Sequence, residues 1–126
     1  MAVVERKCIV VVGERGPSLD AVADALERDG YAVVPCSELG RAHAVVRATM
    51  PDLVMLDSRG ATATNWHASA MLKLDGQTSA IPVLLCPADD PDRKALTARA
   101  DALACSILLT PFEPADLLGR IRELLG

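Results

Sequence analysis

Pro51-Asp52-Leu53-Val54-Met55-Leu56-Asp57 is a short apolar run closed on its carboxyl side by a carboxylate. A strand with one wet face alternates in polarity, so Leu53 to Leu56 reads as a strand covered on both sides. Four further runs have the same character: Cys8 to Val12, Tyr31 to Val34, Val83 to Cys86, and Ile107 to Leu109. Amphipathic stretches separate them, and five such alternations predict an α/β domain built on a parallel sheet with helices on both faces. The chain has 126 residues, enough for one domain over 1–126 with a core that needs neither disulfide nor metal.

The helical stretches carry their own punctuation. Leu19, Val22, Ala23 and Leu26 recur at i, i+3, i+4 and i+7, with Ser18 as the expected cap and Gly30 as the stop. The second helix follows Ser37, uses Leu39, Ala42, Val46 and Thr49, and ends before Pro51. The third runs from about Thr64 to Leu74 with Ala70, Met71 and Leu74 inward. A fourth starts near Asp90-Pro91 with Leu96, Arg99, Ala100 and Leu103 on a narrow stripe. The fifth begins at Glu113-Pro114 and has the clearest stripe: Leu117, Leu118, Ile121, Leu124 and Leu125.

Composition excludes several classes. The net charge is −4, which argues against a nucleic-acid surface, because phosphate backbones select clustered positive charge. No apolar run approaches the ~20 residues of a membrane-crossing helix. Nothing after Glu5-Arg6-Lys7 resembles a signal-peptide cleavage site, so a cytoplasmic protein is expected. Cys8, Cys36, Cys86 and Cys105 show no metal-ligand spacing and sit in apolar runs, where free thiols act as small buried hydrophobes. Gly13-x-x-Gly16 lacks the spacing and the distal acid of a dinucleotide fingerprint. Trp66 reads as a half-buried packing residue.

Right-handed crossovers bring the loops after the first, third and fourth strands to the carboxyl edge of the sheet, where open α/β sheets bind ligands. Asp57 stands there, either bonded to the amides of its own loop or facing a ligand. Glu14 follows the first strand and would face Asp57 across the strand ends. Two carboxylates are minimally sufficient for Mg²⁺, which keeps waters and takes a phosphate as well. Alternatively, Glu14 is solvated or paired with Arg15.

Five blocks in order now resemble the response-regulator receiver family: Val10-Val11-Val12; Asp29-Gly30-Tyr31; Pro51 to Asp57; Ile81-Pro82-Val83-Leu84-Leu85; and Thr110-Pro111-Phe112-Glu113-Pro114-Ala115-Asp116-Leu117-Leu118. The resemblance covers essentially the whole chain. It implies a flavodoxin-like (βα)5 fold and a signalling module rather than an enzyme, with Asp57 as the candidate acceptor of a phosphoryl group from a sensor histidine kinase. It also implies a Mg²⁺ site from Glu14, Asp57 and the backbone carbonyl of Arg59, a cis peptide before Pro111, and partners that are a sensor kinase or another signalling protein. Homodimers through the fourth and fifth helices occur in the family.

The same resemblance exposes departures. The family's acidic pair falls on Gly13 and Glu14, its hydroxyl on Pro87, its lysine on Thr110 and its switch aromatic on Ile107. Phosphoryl transfer is mostly positioning and charge stabilisation, so each lost donor weakens it. Arg15 or Arg59 either replaces the metal with a resident cation or points into solvent. Two readings stand: an interaction module with a degenerate phosphorylation site, favoured by these departures, and a receiver phosphorylated on Asp57.

Overall fold

The computed structural model describes residues 6–58, 62–87, 93–110 and 112–126. The elements are β1 (Cys8–Val12), α1 (Pro17–Arg28), β2 (Ala32–Cys36), a 3₁₀ turn (Leu39–Arg41), α2 (Ala42–Thr49), β3 (Leu53–Ser58), α3 (Thr62–Leu74), β4 (Val83–Pro87), α4 (Arg93–Ala102), β5 (Ser106–Ile107) and α5 (Pro114–Leu125). The strands form one parallel sheet in the order β2-β1-β3-β4-β5.

The two-residue period of the strands sorts the apolar runs into two cores. Ile9, Val11, Leu53, Met55, Leu84 and Cys86 face α1 and α5, joined by Leu19, Leu26, Leu117 and Ile121. Val10, Val12, Val54, Leu56, Val83 and Leu85 face the other way, against Ala42, Val46, Trp66, Leu72 and Ala100 of α2, α3 and α4. This double coverage is why the central strands carry no polar alternation.

Helix ends follow backbone chemistry. The N-cap of α1 is Gly16, not Ser18, at φ 150, a conformation that L side chains rarely adopt; Pro17 then opens the helix. Gly30 ends the segment at φ 96, as expected of a glycine stop. In α5 the Glu113 N–H donates to Asp116 Oδ2 at 3.3 Å, and Pro114 takes the first position. The second helix is preceded by a separate 3₁₀ turn rather than starting at Leu39. It ends on Met50 at φ 47, ψ 61, a left-handed conformation that costs a non-glycine residue free energy. Met50 is 52% exposed and loses little packing on truncation. Met50→Gly is therefore expected to stabilise the fold by about 1 kcal/mol in urea denaturation.

Three expectations need correction. The inward residues of α3 are Trp66, Ala68, Ser69 and Leu72, whereas Met71 is 40% and Leu74 86% exposed. Small Ala and Ser on the inward face hide the true stripe, with Ser69 lying beside the Cys105 thiol. Burial raises that thiol's pKa above its ordinary value, which makes Cys105 a poor nucleophile. Second, Trp66 is buried, and Arg99, expected inward on α4, lies outside with its guanidinium 5.0 Å from the indole centroid. Third, β5 covers only Ser106–Ile107. Pro87 has no N–H to donate to the facing Leu108 carbonyl, so the ladder stops early.

Three cysteines are buried as expected, but Cys8 is half-buried; none of the four forms a disulfide. The expected start of α4 at Asp90-Pro91 lies outside the described residues.

The amino edge is tied together by Asp75. Its Oδ2 meets His43 Nε2 at 2.8 Å and Arg47 Nε at 3.3 Å, and its Oδ1 accepts the Gln77 N–H at 2.9 Å. The Gln77 amide and then His43 hold the Asp75 carboxyl below its ordinary pKa. A depressed folded pKa means stabilisation that is complete above the unfolded value, near 3.8, and lost as pH falls through the folded one. Asp75→Asn should flatten the acid limb of the stability profile below about pH 4. Urea midpoints measured from pH 2 to 7 check this.

Candidate functional site

The sheet order reverses direction at β1 and β3, the point where open α/β sheets form their carboxyl-edge crevice. Val12 pairs with Leu56, so the next register brings Gly13 beside Asp57. Asp57 continues the Leu53, Met55 side of β3, toward the start of α1. It lies within the strand rather than beyond it, beside Cys86 of β4. The carboxylate is half-buried, with Oδ1 shielded from solvent.

A Cβ on Gly13 would stand 3.4 Å from the Asp57 Cβ and 3.6 Å from Leu19 Cδ1. The glycine thus leaves bare the space beside Asp57, where a second carboxylate would emerge. Glu14 is exposed. Arg15 does not act as a resident cation at Asp57: its Nε donates to Ser37 Oγ at 3.4 Å, beyond β2, on the far side of β1. Arg59 and the Pro111 peptide lie outside the described residues. Among the described residues, no three His, Cys, Asp or Glu side chains come together to hold a metal. Of the expected Mg²⁺ ligands, the described residues supply the half-buried Asp57 and the exposed Glu14, and waters and a phosphate would complete the shell of an ion held there.

Across the edge, Thr110 is buried and its hydroxyl donates to the Pro87 carbonyl at 3.0 Å, while its N–H reaches the same oxygen at 2.9 Å. Both donors of Thr110 are committed to the end of β4. The position presents no charge and no spare hydroxyl hydrogen toward Asp57. Pro87 itself contributes neither hydroxyl nor N–H.

Ile107 packs against the core that α4 covers. As a β-branched residue it is stiff at χ1. Its carbonyl accepts a bond from Arg120 Nη1 of α5 at 2.9 Å. Arg120 thereby covers the open edge of the sheet, a role that sequence reasoning missed because the α5 stripe drew attention to its leucines. Between α4 and α5 an open groove of about 540 Å³ runs along β5, with Ala100, Ile107, Leu109, Phe112 and Arg120 in its wall.

Comparison with known proteins agrees with this geometry. No family model matches the chain. The chain is 30% identical over 122 residues to the phosphate regulon transcriptional regulatory protein PhoB of Pseudomonas aeruginosa; 94% of the chain is covered, and it spans about half (52%) of that relative's length. It is 26% identical over 118 residues to protein PilH of the same organism, covering 97% of that protein. Among solved structures, the chemotaxis response regulator CheY4 of Vibrio cholerae superimposes with a TM-score of 0.84 at 18% identity, covering 96% of this chain and all of that one. A response regulator from Thermotoga maritima gives 0.80 at 22% identity, covering 96% and 98%. With the β2-β1-β3-β4-β5 sheet and Asp57 at its switch point, the chain has the fold of response-regulator receiver domains and is similar to response regulators over nearly its whole length.

Proposed function

We propose that this receiver domain of a two-component system works mainly as a protein-interaction module, with an Asp57 edge that does not operate a phosphate-driven switch. The observation that carries the reading is the pair of hydrogen bonds that Thr110 donates to the Pro87 carbonyl. A lysine there would make a charge-assisted bond to an acyl phosphate, whereas a committed hydroxyl makes none. Gly13 removes a carboxylate from the same edge. A ligand shifts an equilibrium only through differential contacts, and neither Pro87 nor the packed Ile107 supplies one.

The surface offered to a sensor histidine kinase, another signalling protein or a second copy is the groove between α4 and α5. Its position does not depend on chemistry at Asp57. Four cysteines without a disulfide suit a reducing cytoplasm. Among the described residues no helix is long and apolar enough to cross a membrane.

One observation favours the second reading, phosphorylation on Asp57: the carboxylate stands at the carboxyl edge, at the switch point of the sheet. Amide spectra in Mg²⁺ with and without beryllofluoride separate the two. The interaction-module reading expects superimposable spectra. Saturable shifts at residues 13, 57 and 110 that spread to β5 and α5 would overturn it.

A further inference from the structure

We propose that the outer edge of β5 takes an extended segment of a partner protein as a sixth strand, paired through its main chain. The inference rests on the groove between α4 and α5 being the surface offered to partners, and it says how a partner sits there.

The ladder shows which main-chain groups are already engaged. Leu108 and Thr110 donate their N–H groups to the Leu85 and Pro87 carbonyls, so these alternate positions face β4. Ile107 and Leu109 therefore direct N–H and carbonyl the other way, into the groove whose wall they form. The bond from Arg120 Nη1 to the Ile107 carbonyl fits that direction. Among the described residues, no backbone carbonyl accepts the Leu109 N–H.

The two edges of the sheet are built differently. On β2, Ala32 donates to Lys7 and Cys36 accepts from Gly13, which puts Pro35 on the outer register, where the missing N–H blunts the edge. Residues 105–110 along β5 include neither proline nor a charged side chain. The cover there is one flexible side chain, Arg120, which occupies a single carbonyl and is 3.6 Å from the exposed Glu123. A helix has its main-chain groups bonded internally and cannot satisfy such an edge, whereas an extended chain can.

The groove fits that occupant. Positions 106–109 span about 13 Å at ~3.3 Å per residue. The space beside them is about 540 Å³. Side chains of an added strand alternate between two apolar walls, with Ala100 of α4 on one side and Phe112 ahead of α5 on the other. Asp101 and Asp116 also line the groove, while Arg120 is already bonded to Ile107, so lysine suits the ends of the segment.

The test uses ¹⁵N-labelled protein and a synthetic peptide of alternating valine and threonine with lysine at each end. In the unbound chain the Ile107 and Leu109 amides are expected to exchange with deuterium faster than those of Leu108 and Thr110. The peptide should slow Ile107 and Leu109 at least tenfold, saturably, and leave Leu108 and Thr110 nearly unchanged. A copy of the peptide with esters in place of its amides keeps the side chains and removes the donors, and should bind at least tenfold more weakly. Leu109→Pro, which blunts this edge as Pro35 blunts β2, should abolish the protection at Ile107. The proposal is overturned if Ile107 and Leu109 are already as protected as their neighbours, if the peptide leaves them exchanging, or if the ester copy binds as well. A helical peptide that binds the groove more tightly overturns strand addition but leaves the groove as the partner surface. Peptide shifts confined to other faces would overturn both. Sedimentation velocity adds one more contrary outcome, dimerisation of the wild type that Leu109→Pro abolishes.

Discussion

Gly13→Asp combined with Thr110→Lys is expected to raise the rate at which Asp57 takes a phosphoryl group from acetyl phosphate in Mg²⁺ by at least about 100-fold. The space for the first change exists. The new Cβ would rest in ordinary van der Waals contact, 3.4 Å from the Asp57 Cβ, and needs no unusual backbone at residue 13. The second change gives up the Thr110 hydroxyl bond to Pro87, at a cost of about 1 kcal/mol, but keeps the main-chain bond to the same carbonyl. In return the edge gains a carboxylate for the metal and a cation for the phosphoryl oxygens. Each single variant should gain far less, because metal and cation act on the same transferring group. Initial rates from intact-mass time courses check all three variants; a double variant as inert as the wild type would show that something other than residues 13 and 110 silences the edge.

Leu56→Ala is expected to destabilise the fold by about 3 kcal/mol, with no change in urea m-value. Leu56 is fully buried in the central strand that carries Asp57, and its side chain fills the core beneath α2 and α3. Truncation leaves a cavity that surrounding strands cannot close without moving the sheet. Leu74→Ala supplies the contrast. That side chain is 86% exposed, so the change should fall within about 0.5 kcal/mol of neutral. A large loss at Leu74 would contradict the phase of α3 described above, and a small one at Leu56 the two-core architecture.

The contrast also shows where the sequence was readable. β1, β3 and β4 were legible because each is a run of apolar residues buried on both faces, which few other structures require. The stripes of α1 and α5 were legible for the same reason, since long aliphatic side chains recur at helical spacing. The inner face of α3 was not. It is built from Trp66, Ala68, Ser69 and Leu72, so only one long aliphatic side chain marks it, and Ser69 lies beside Cys105 of another element, a neighbour that no local pattern announces. The early end of β5 was hidden too, because the proline that stops it lies twenty residues upstream on a neighbouring strand.

Of the candidate site, the placement of Asp57 was readable from the carboxylate that closes an apolar strand. The chemical silence of position 110 was only half readable. Threonine announced the missing charge, but the commitment of its hydroxyl to Pro87 is a long-range bond that exists only once β4 and β5 align. Arg15 shows the converse: the sequence left it either a resident cation or a solvent-facing chain, and the exposed guanidinium reaches Ser37 beyond β2, a partner no local pattern announces.

The central claim is that the Asp57 edge, as it stands, does not take up phosphate. Incubating the wild-type chain and Asp57→Asn with acetyl phosphate and Mg²⁺, then weighing the intact proteins, tests it most directly. The account predicts no phosphoryl adduct on either. An adduct on the wild type that disappears in Asp57→Asn would contradict it.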